Sequence, residues 1–321
     1  MRLPAFILTA LVLGAVTLAA TVPAPVVVWH GMGDSAYSKD SMGALQRSLE
    51  TALPGAYIHL VALGGDQNSD VTASFWGNVN NQVDTVCRDL QRLPQLRTGF
   101  HALGFSQGGL FLRAYVERCN TPPVRNLVTL GSPHGGIAAP PDCSDERDTW
   151  SCHTVMNQLR RRAYAWYFRD HVVQAQYYKD PQRLDEYYEY NVFLPAINNE
   201  ITPTHEVYRD RLRSLNRFVM VRYENDSMIV PPTTAWFASI EKDATVPLRE
   251  TDGYRKDVLG LRTLDEQQRL VFLSFPGEHL QHNATLFDRD VLPHLATPID
   301  SVLIADTWWN WSEALFEWLV L

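Results

Sequence analysis

Ser106 stands in Gly104-Phe105-Ser106-Gln107-Gly108, a G-x-S-x-G spacing that average glycine usage produces by chance only roughly 0.1 times in a chain of this length. A serine hydroxyl is unreactive at neutral pH unless a base takes its proton. The pattern therefore carries chemistry only if the fold holds the serine on a sharp turn and delivers a histidine to it. The flanks supply the turn. "HALGF" ends at Phe105 and reads as a strand, and "QGGLFLRAYVERC" begins at Gln107 with helical spacing. A strand running straight into this pattern and out into a helix puts the serine at the apex of a nucleophile elbow. Gly104 and Gly108 leave room there because they lack a Cβ.

In such an architecture the chain order is serine, acid, histidine. Ten histidines occur. His279 follows the apolar run "LVFLSF" and the turn "PGE", which places it at the same sheet edge as the elbow; His282 is the alternative, and His294 falls inside a helical run. Asp226 directly follows "FVMVRYEN", at a strand end where a carboxylate can orient the imidazole and stabilise the imidazolium. The oxyanion formed when a carbonyl is attacked needs backbone N–H donors. Gln107, directly after the serine, offers one, and Met32 in "WHGMG", after the first strand, offers the second.

Rival chemistries fit less well. Gly31, Gly33 and Ala36 make a near match to the dinucleotide fingerprint, but Asp66 lies too far on and beyond Gly64 and Gly65 to serve as its ribose-binding acid. There is no C-x-x-C pair, and "HEVYR" from His205 has Arg209 where a zinc helix needs its second histidine. Neither a metal nor an organic cofactor is expected.

The elements that must position these residues alternate. "PVVVW" is followed by the helical spacing of Met42, Leu45, Leu49 and Leu53, then by "AYIHLVAL" as a strand, a helix around Trp76 to Leu93, the elbow's own strand and helix, and "VRNLVTLGS" as a further strand. Such alternation predicts an α/β fold, a mostly parallel sheet with helices on both faces. The rhythm breaks at about 134–216, read as a mainly helical insertion, and resumes with "FVMVRYEN", "LVFLSF" and a last helix around "TLFDRDVLPHL". One domain over 21–299 is expected, followed by a tail, 300–321, of unassigned role carrying Trp308, Trp309, Trp311 and Trp318.

The 321 residues, 45% of them hydrophobic, suffice for a sizeable core. Residues 1–20 have the layout of a cleaved secretory signal: Arg2, an apolar stretch from Phe6 to Leu18, and a small-residue exit at Ala19 and Ala20. The secretory pathway agrees with four cysteines, an even number that permits two disulfides. It also agrees with glycosylation sequons at Asn225, Asn283 and Asn310. The formal charge of −8, with no basic run beyond Arg160 to Arg162, gives no footprint for a nucleic acid. The mature chain has no transmembrane segment by this reading, since the tail is too short and is interrupted by Glu313 and Glu317.

With these residues in hand, the chain resembles the lysosomal type of palmitoyl-protein thioesterase, within the α/β-hydrolase superfamily. "VVVWHGMGDS", "GFSQGGLFLRAYVERC", "FVMVRYENDSMIV", "VPLRET" and "LVFLSFPGEHLQ" carry the likeness, in order, from about Pro25 to Leu295. The resemblance implies Ser106 as nucleophile, Asp226 as acid, His279 as base, and Met32 and Gln107 as oxyanion donors. It implies disulfides Cys87–Cys119 and Cys143–Cys152, S-acylated proteins or peptides as substrate, a fatty acid as product, and a lysosome-like lumen or secretion. Two departures stand out: "AYSKD" occupies the place of an adjacent cysteine pair that family members often have, and Val230-Pro231 replaces the family's Asp-Pro. An apolar groove for the acyl chain is expected from the insertion, with Tyr164, Trp166, Tyr167, Phe168, Val172, Tyr177, Tyr178, Phe193 and Leu194 as its material. The alternatives are a lipase or carboxylic ester hydrolase on the same scaffold, or a binding protein that has lost catalysis, against which an intact serine, acid and histidine argue.

Overall fold

The computed structural model describes residues 23–139, 158–159, 161–281 and 283–299. The expected signal segment, the tryptophan-bearing tail, Cys143, Cys152, Asn310 and His282 lie outside them. Six strands form one parallel sheet: β1 (Val26–Trp29), β2 (Ile58–Leu60), β3 (Phe100–Phe105), β4 (Val124–Leu130), β5 (Arg217–Tyr223) and, after a two-stranded antiparallel ribbon of β6 (Ser239–Ile240) and β7 (Thr245–Val246), β8 (Leu270–Phe275). Their order is β2-β1-β3-β4-β5-β8, and every pairing within the sheet is parallel.

The strands read as continuous apolar runs because both faces are covered. Alternate residues enter opposite cores. Val27, Trp29, Phe218 and Met220 join the core on one face, whereas Val26, Val28, Val219 and Val221 join that on the other. Helix α1 (Met42–Ala52) packs on the second face with Val291 and Leu295 of the last helical segment. Helices α2 (Gln67–Phe75), α3 (Val79–Gln91) and α4 (Gln107–Arg118) cover the first. A disulfide between Cys87 and Cys119 ties α3 to the end of α4.

Two elements differ from the sequence reading. The strand expected over "AYIHLVAL" is ordered as β2 for only three residues. The helix expected around Trp76 to Leu93 is α3 alone, and a separate helix, α2, precedes it. α2 has little apolar periodicity to announce it. Apart from Phe75, its buried residues are Asp70 and Ser74, and its start is fixed by a reciprocal capping box between Asp66 and Ser69.

Between β4 and β5 the described chain forms short helices, Trp166–His171, Leu184–Tyr190, Leu194–Ile197 and Glu206–Arg213, with a 3-10 turn over Val173–Tyr177. The residues expected to line a groove divide. Tyr164, Val172, Tyr177, Tyr178, Phe193 and Leu194 are buried in the core, with the rings of Tyr177 and Phe193 against Phe111 of α4. Only Trp166, at 71% exposure, and Tyr167, at 47%, face solvent widely. Most of this material packs the insertion onto the sheet, because large aromatic surfaces gain most from full burial. No helix among the described residues is long and apolar enough to cross a membrane.

Candidate active site

Parallel strands bring their carboxyl ends to one edge, and the three residues singled out by spacing all lie just beyond it. Ser106 follows β3, Asp226 lies three residues past Tyr223 of β5, and His279 four past Phe275 of β8, with Tyr223 and Phe275 themselves in register. Ligands of open α/β sheets bind along this edge.

Ser106 has φ 52° and ψ −126°, a conformation that costs a residue with a side chain about 1–3 kcal/mol. It persists because the surroundings determine it. Its N–H donates to Leu130 O at 2.8 Å, extending the β3–β4 pairing by one bond. The chain then turns so tightly that a Cβ on Gly104 would fall 2.2 Å from Gly109 Cα, and one on Gly108 would fall 2.4 Å from the carbonyl oxygens of Trp29 and His30. The first turn of α4 thus abuts the start of the loop that carries Met32.

His279 Nδ1 donates to Asp226 Oδ2 at 2.7 Å. The other carboxylate oxygen accepts from the N–H groups of Met228 and Ile229 at 2.9 and 2.8 Å. The acid is therefore fixed by its own backbone turn before it touches the imidazole. With Nδ1 committed as donor, Nε2 of a neutral ring is the free acceptor. The ring lies against Gly131, where an added Cβ would be 3.0 Å from its Cε1, and Gly131 directly follows the Leu130 carbonyl that holds the Ser106 N–H. On the opposite flank an added Cβ at Gly31 would meet Ser106 Cβ at 3.2 Å and Leu280 Cδ1, next to His279, at 3.9 Å. Gly131 thus adjoins the histidine ring, and Gly31 adjoins the serine. The bond formed within this set is the one between His279 and Asp226; none joins Ser106 to His279 among the described residues.

Gln107 begins α4, so its N–H is one of the amides a helix start leaves without an internal partner. Its buried side chain donates from Nε2 to Ser74 O at 3.0 Å, and its Oε1 accepts from Tyr177 Oη at 3.0 Å and Gln174 Nε2 at 3.2 Å. The insertion therefore braces the residue after the serine. Sequence spacing does not reveal this, because a glutamine in a helical insertion carries no mark of what it faces.

A second network surrounds the Met32 loop and is likewise invisible to motif reading. Asp70 of α2 is fully buried and accepts at Oδ2 from Ser35 Oγ and Ala36 N, and at Oδ1 from Leu63 N and Gly64 N. His30 Nε2 stands 3.2 Å from Asp70 Oδ2, and His30 Nδ1 is 2.9 Å from Gly31 O. Burial works against a charged imidazole here, but the Asp70 carboxylate outweighs it and holds the His30 pKa above its ordinary value. Burial likewise opposes the Asp70 carboxylate, yet His30 and the converging N–H groups bring its pKa down to about 2.

Of the expected glycosylation sites within the described residues, Asn225 and Asn283 are both exposed. Asn283 also caps the segment that follows it, its side chain accepting from Leu286 N at 3.1 Å. Among the described residues no three His, Cys, Asp or Glu side chains gather as a metal site would require.

Residues 25–279 match the family model described as palmitoyl protein thioesterase. The chain is 37% identical over 276 residues to palmitoyl-protein thioesterase 1 of Caenorhabditis elegans, covering 85% of this chain and 92% of that one. It is 33% identical over 261 residues to palmitoyl-protein thioesterase 3 of Dictyostelium discoideum, covering 80% and 86%. It is 27% identical over 280 residues to the human lysosomal thioesterase PPT2, covering 85% and 88%.

Proposed function

Because the chain belongs to the palmitoyl protein thioesterase family, we propose that it removes long-chain fatty-acyl groups from S-acylated cysteine of proteins or peptides, with Ser106 as nucleophile, His279 as base and Asp226 as the acid that orients it. The observation that carries this is the hydrogen bond from His279 Nδ1 to a fully anchored Asp226, at the sheet edge where Ser106 is held in strained geometry.

In this mechanism His279 Nε2 takes the Ser106 proton as Oγ attacks the thioester carbonyl, and Asp226 stabilises the imidazolium. The N–H groups of Gln107 and Met32 receive the oxyanion. Collapse of the intermediate breaks the C–S bond, the imidazolium gives its proton to the departing sulfur, and an acyl-serine and a neutral imidazole remain. A thiol ionises near pH ~8.5, so the departing sulfur needs less help from the imidazolium than a peptide nitrogen does. Water, deprotonated by the same imidazole, then attacks the acyl-serine; the C–Oγ bond breaks, the imidazolium returns its proton to Ser106 Oγ, and the fatty acid is released. Burying about a dozen methylenes of the acyl chain contributes on the order of 10 kcal/mol before losses, which lets the enzyme place a substrate whose protein part is barely read.

The signal-like N-terminus and relatives named as lysosomal thioesterases support a lysosome-like lumen or secretion, with glycans at the exposed Asn225 and Asn283. The mature protein, assayed against palmitoyl-cysteine peptides and oxygen-ester lipids side by side, should favour the thioesters. A strong preference for the lipids would replace this reading with that of a lipase or carboxylic ester hydrolase.

A further inference from the structure

Resting on the catalytic roles just proposed, we infer that Asp70 and His30 are positioning residues that fasten the Met32 loop in its oxyanion-binding shape. The loop is fixed to one face of α2 at three places. His30 meets the Asp70 carboxylate at the loop's beginning, Gly33 N donates to Ser74 Oγ at 2.9 Å in its middle, and Ser35 Oγ and Ala36 N reach Asp70 Oδ2 at 2.8 and 2.9 Å at its end. Asp70 and Ser74 are four apart on the helix and so share that face. Met32 lies between the fixed points. The same carboxylate also holds Leu63 N and Gly64 N of the neighbouring loop, and Ser74 O receives the Gln107 side chain. Both proposed oxyanion donors are therefore referenced to one short helix.

The charge state follows from the geometry. Both ring nitrogens of His30 face oxygens, Gly31 O and Asp70 Oδ2, so a neutral ring would turn a lone pair toward one of them. The imidazolium donates from Nδ1 to Gly31 O and forms an ion pair with the Asp70 carboxylate, with Nε2 3.2 Å from Oδ2. Asp70 and Asp34 are the charged groups acting on this ring. A buried ion pair adds little net stability, but an oxyanion donor is worth its full effect only when held in place before the charge develops. The pair persists from pH values just above the Asp70 pKa of about 2. It is lost when pH rises through the elevated pKa of His30.

The test is to measure kcat and KM separately for the mature protein on a soluble palmitoyl-cysteine peptide from pH 4 to pH 9. Asp70→Asn should lower kcat about 100-fold, in the range of losing one oxyanion donor, with KM changed less than about threefold. In that variant any alkaline fall in kcat should move to lower pH, because His30 is then left with the burial that disfavours its charge. His30→Gln should lower kcat by about tenfold or more and remove that alkaline limb. It also decides the matter if Asp70→Asn does not show a cooperative melt. Unchanged kcat in the variants, or a loss of kcat with the pH profile of the wild type, overturns the inference. Ser106→Ala, run alongside, separates the two levels: if it retains wild-type turnover, the catalytic reading has failed, whereas an inactive Ser106→Ala beside fully active Asp70 and His30 variants sinks only the positioning role.

Discussion

His279 Nδ1 and Asp226 Oδ2 are 2.7 Å apart although 53 residues separate them in the chain. β5 and β8 are adjacent parallel strands, and register alone carries their ends to the same edge. The remaining Asp226 oxygen is held by the N–H groups of Met228 and Ile229, so replacing the carboxylate with an amide keeps the shape while disturbing the tautomer of the imidazole. Asp226→Asn is expected to reduce kcat by about 10⁴-fold, the loss such a change causes in serine hydrolases, with little change in melting temperature. Steady-state kinetics and a thermal melt on the same preparation check both parts.

The elbow makes a steric prediction. A Cβ on Gly104 would meet only backbone, Gly109 Cα at 2.2 Å, Gly109 N at 2.5 Å and Gly108 C at 2.9 Å, and backbone cannot swing aside as a side chain can. Gly104→Ala should therefore destabilise the fold by about 3 kcal/mol, the upper end for overpacking, and abolish turnover. Chemical denaturation measures the first effect; a midpoint equal to that of wild type would show the turn to be looser than described.

Near the C-terminal end of α4, Glu117 is fully buried beside Arg113, with 2.8 Å between Glu117 Oε1 and Arg113 Nη1. Burial lifts its pKa to about 7 in spite of the guanidinium. A carboxyl group whose folded pKa is raised contributes stability below its unfolded pKa, near 4.5, and loses that contribution as pH rises through the folded value. Glu117→Gln, which resembles the protonated acid, should therefore compare more favourably with wild type at pH 8 than at pH 5. The check is the difference in melting temperature between variant and wild type at the two pH values, which should grow in the variant's favour on the alkaline side. A difference independent of pH would mean that Glu117 does not titrate in this interval.

The placement of Ser106, Asp226 and His279 at one edge was legible because each follows a recognisable apolar strand, and a parallel sheet converts "just after a strand" into "at one edge". The supporting residues were not legible, for physical reasons. α2 buries a carboxylate and a hydroxyl in place of an apolar stripe, so periodicity passes over it and with it Asp70 and Ser74. His30 could be seen inside "WHGMG", but only the fold brings it to Asp70, 40 positions later. The aromatic residues of the insertion were visible as surface to be covered, yet composition does not distinguish a groove wall from a core. Tyr177 fills the core and reaches Gln107 with its hydroxyl, while Trp166 stays in solvent.

In the proposed mechanism Ser106 carries the acyl group between two half-reactions. The most direct measurement is intact-mass and peptide mass spectrometry of the mature protein, quenched in acid milliseconds after mixing with a palmitoyl thioester. A mass increase equal to one palmitoyl group, located on the peptide containing Ser106 and absent from Ser106→Ala, is the predicted result. Full turnover by Ser106→Ala, or acylation of a different residue in the wild type, would contradict it.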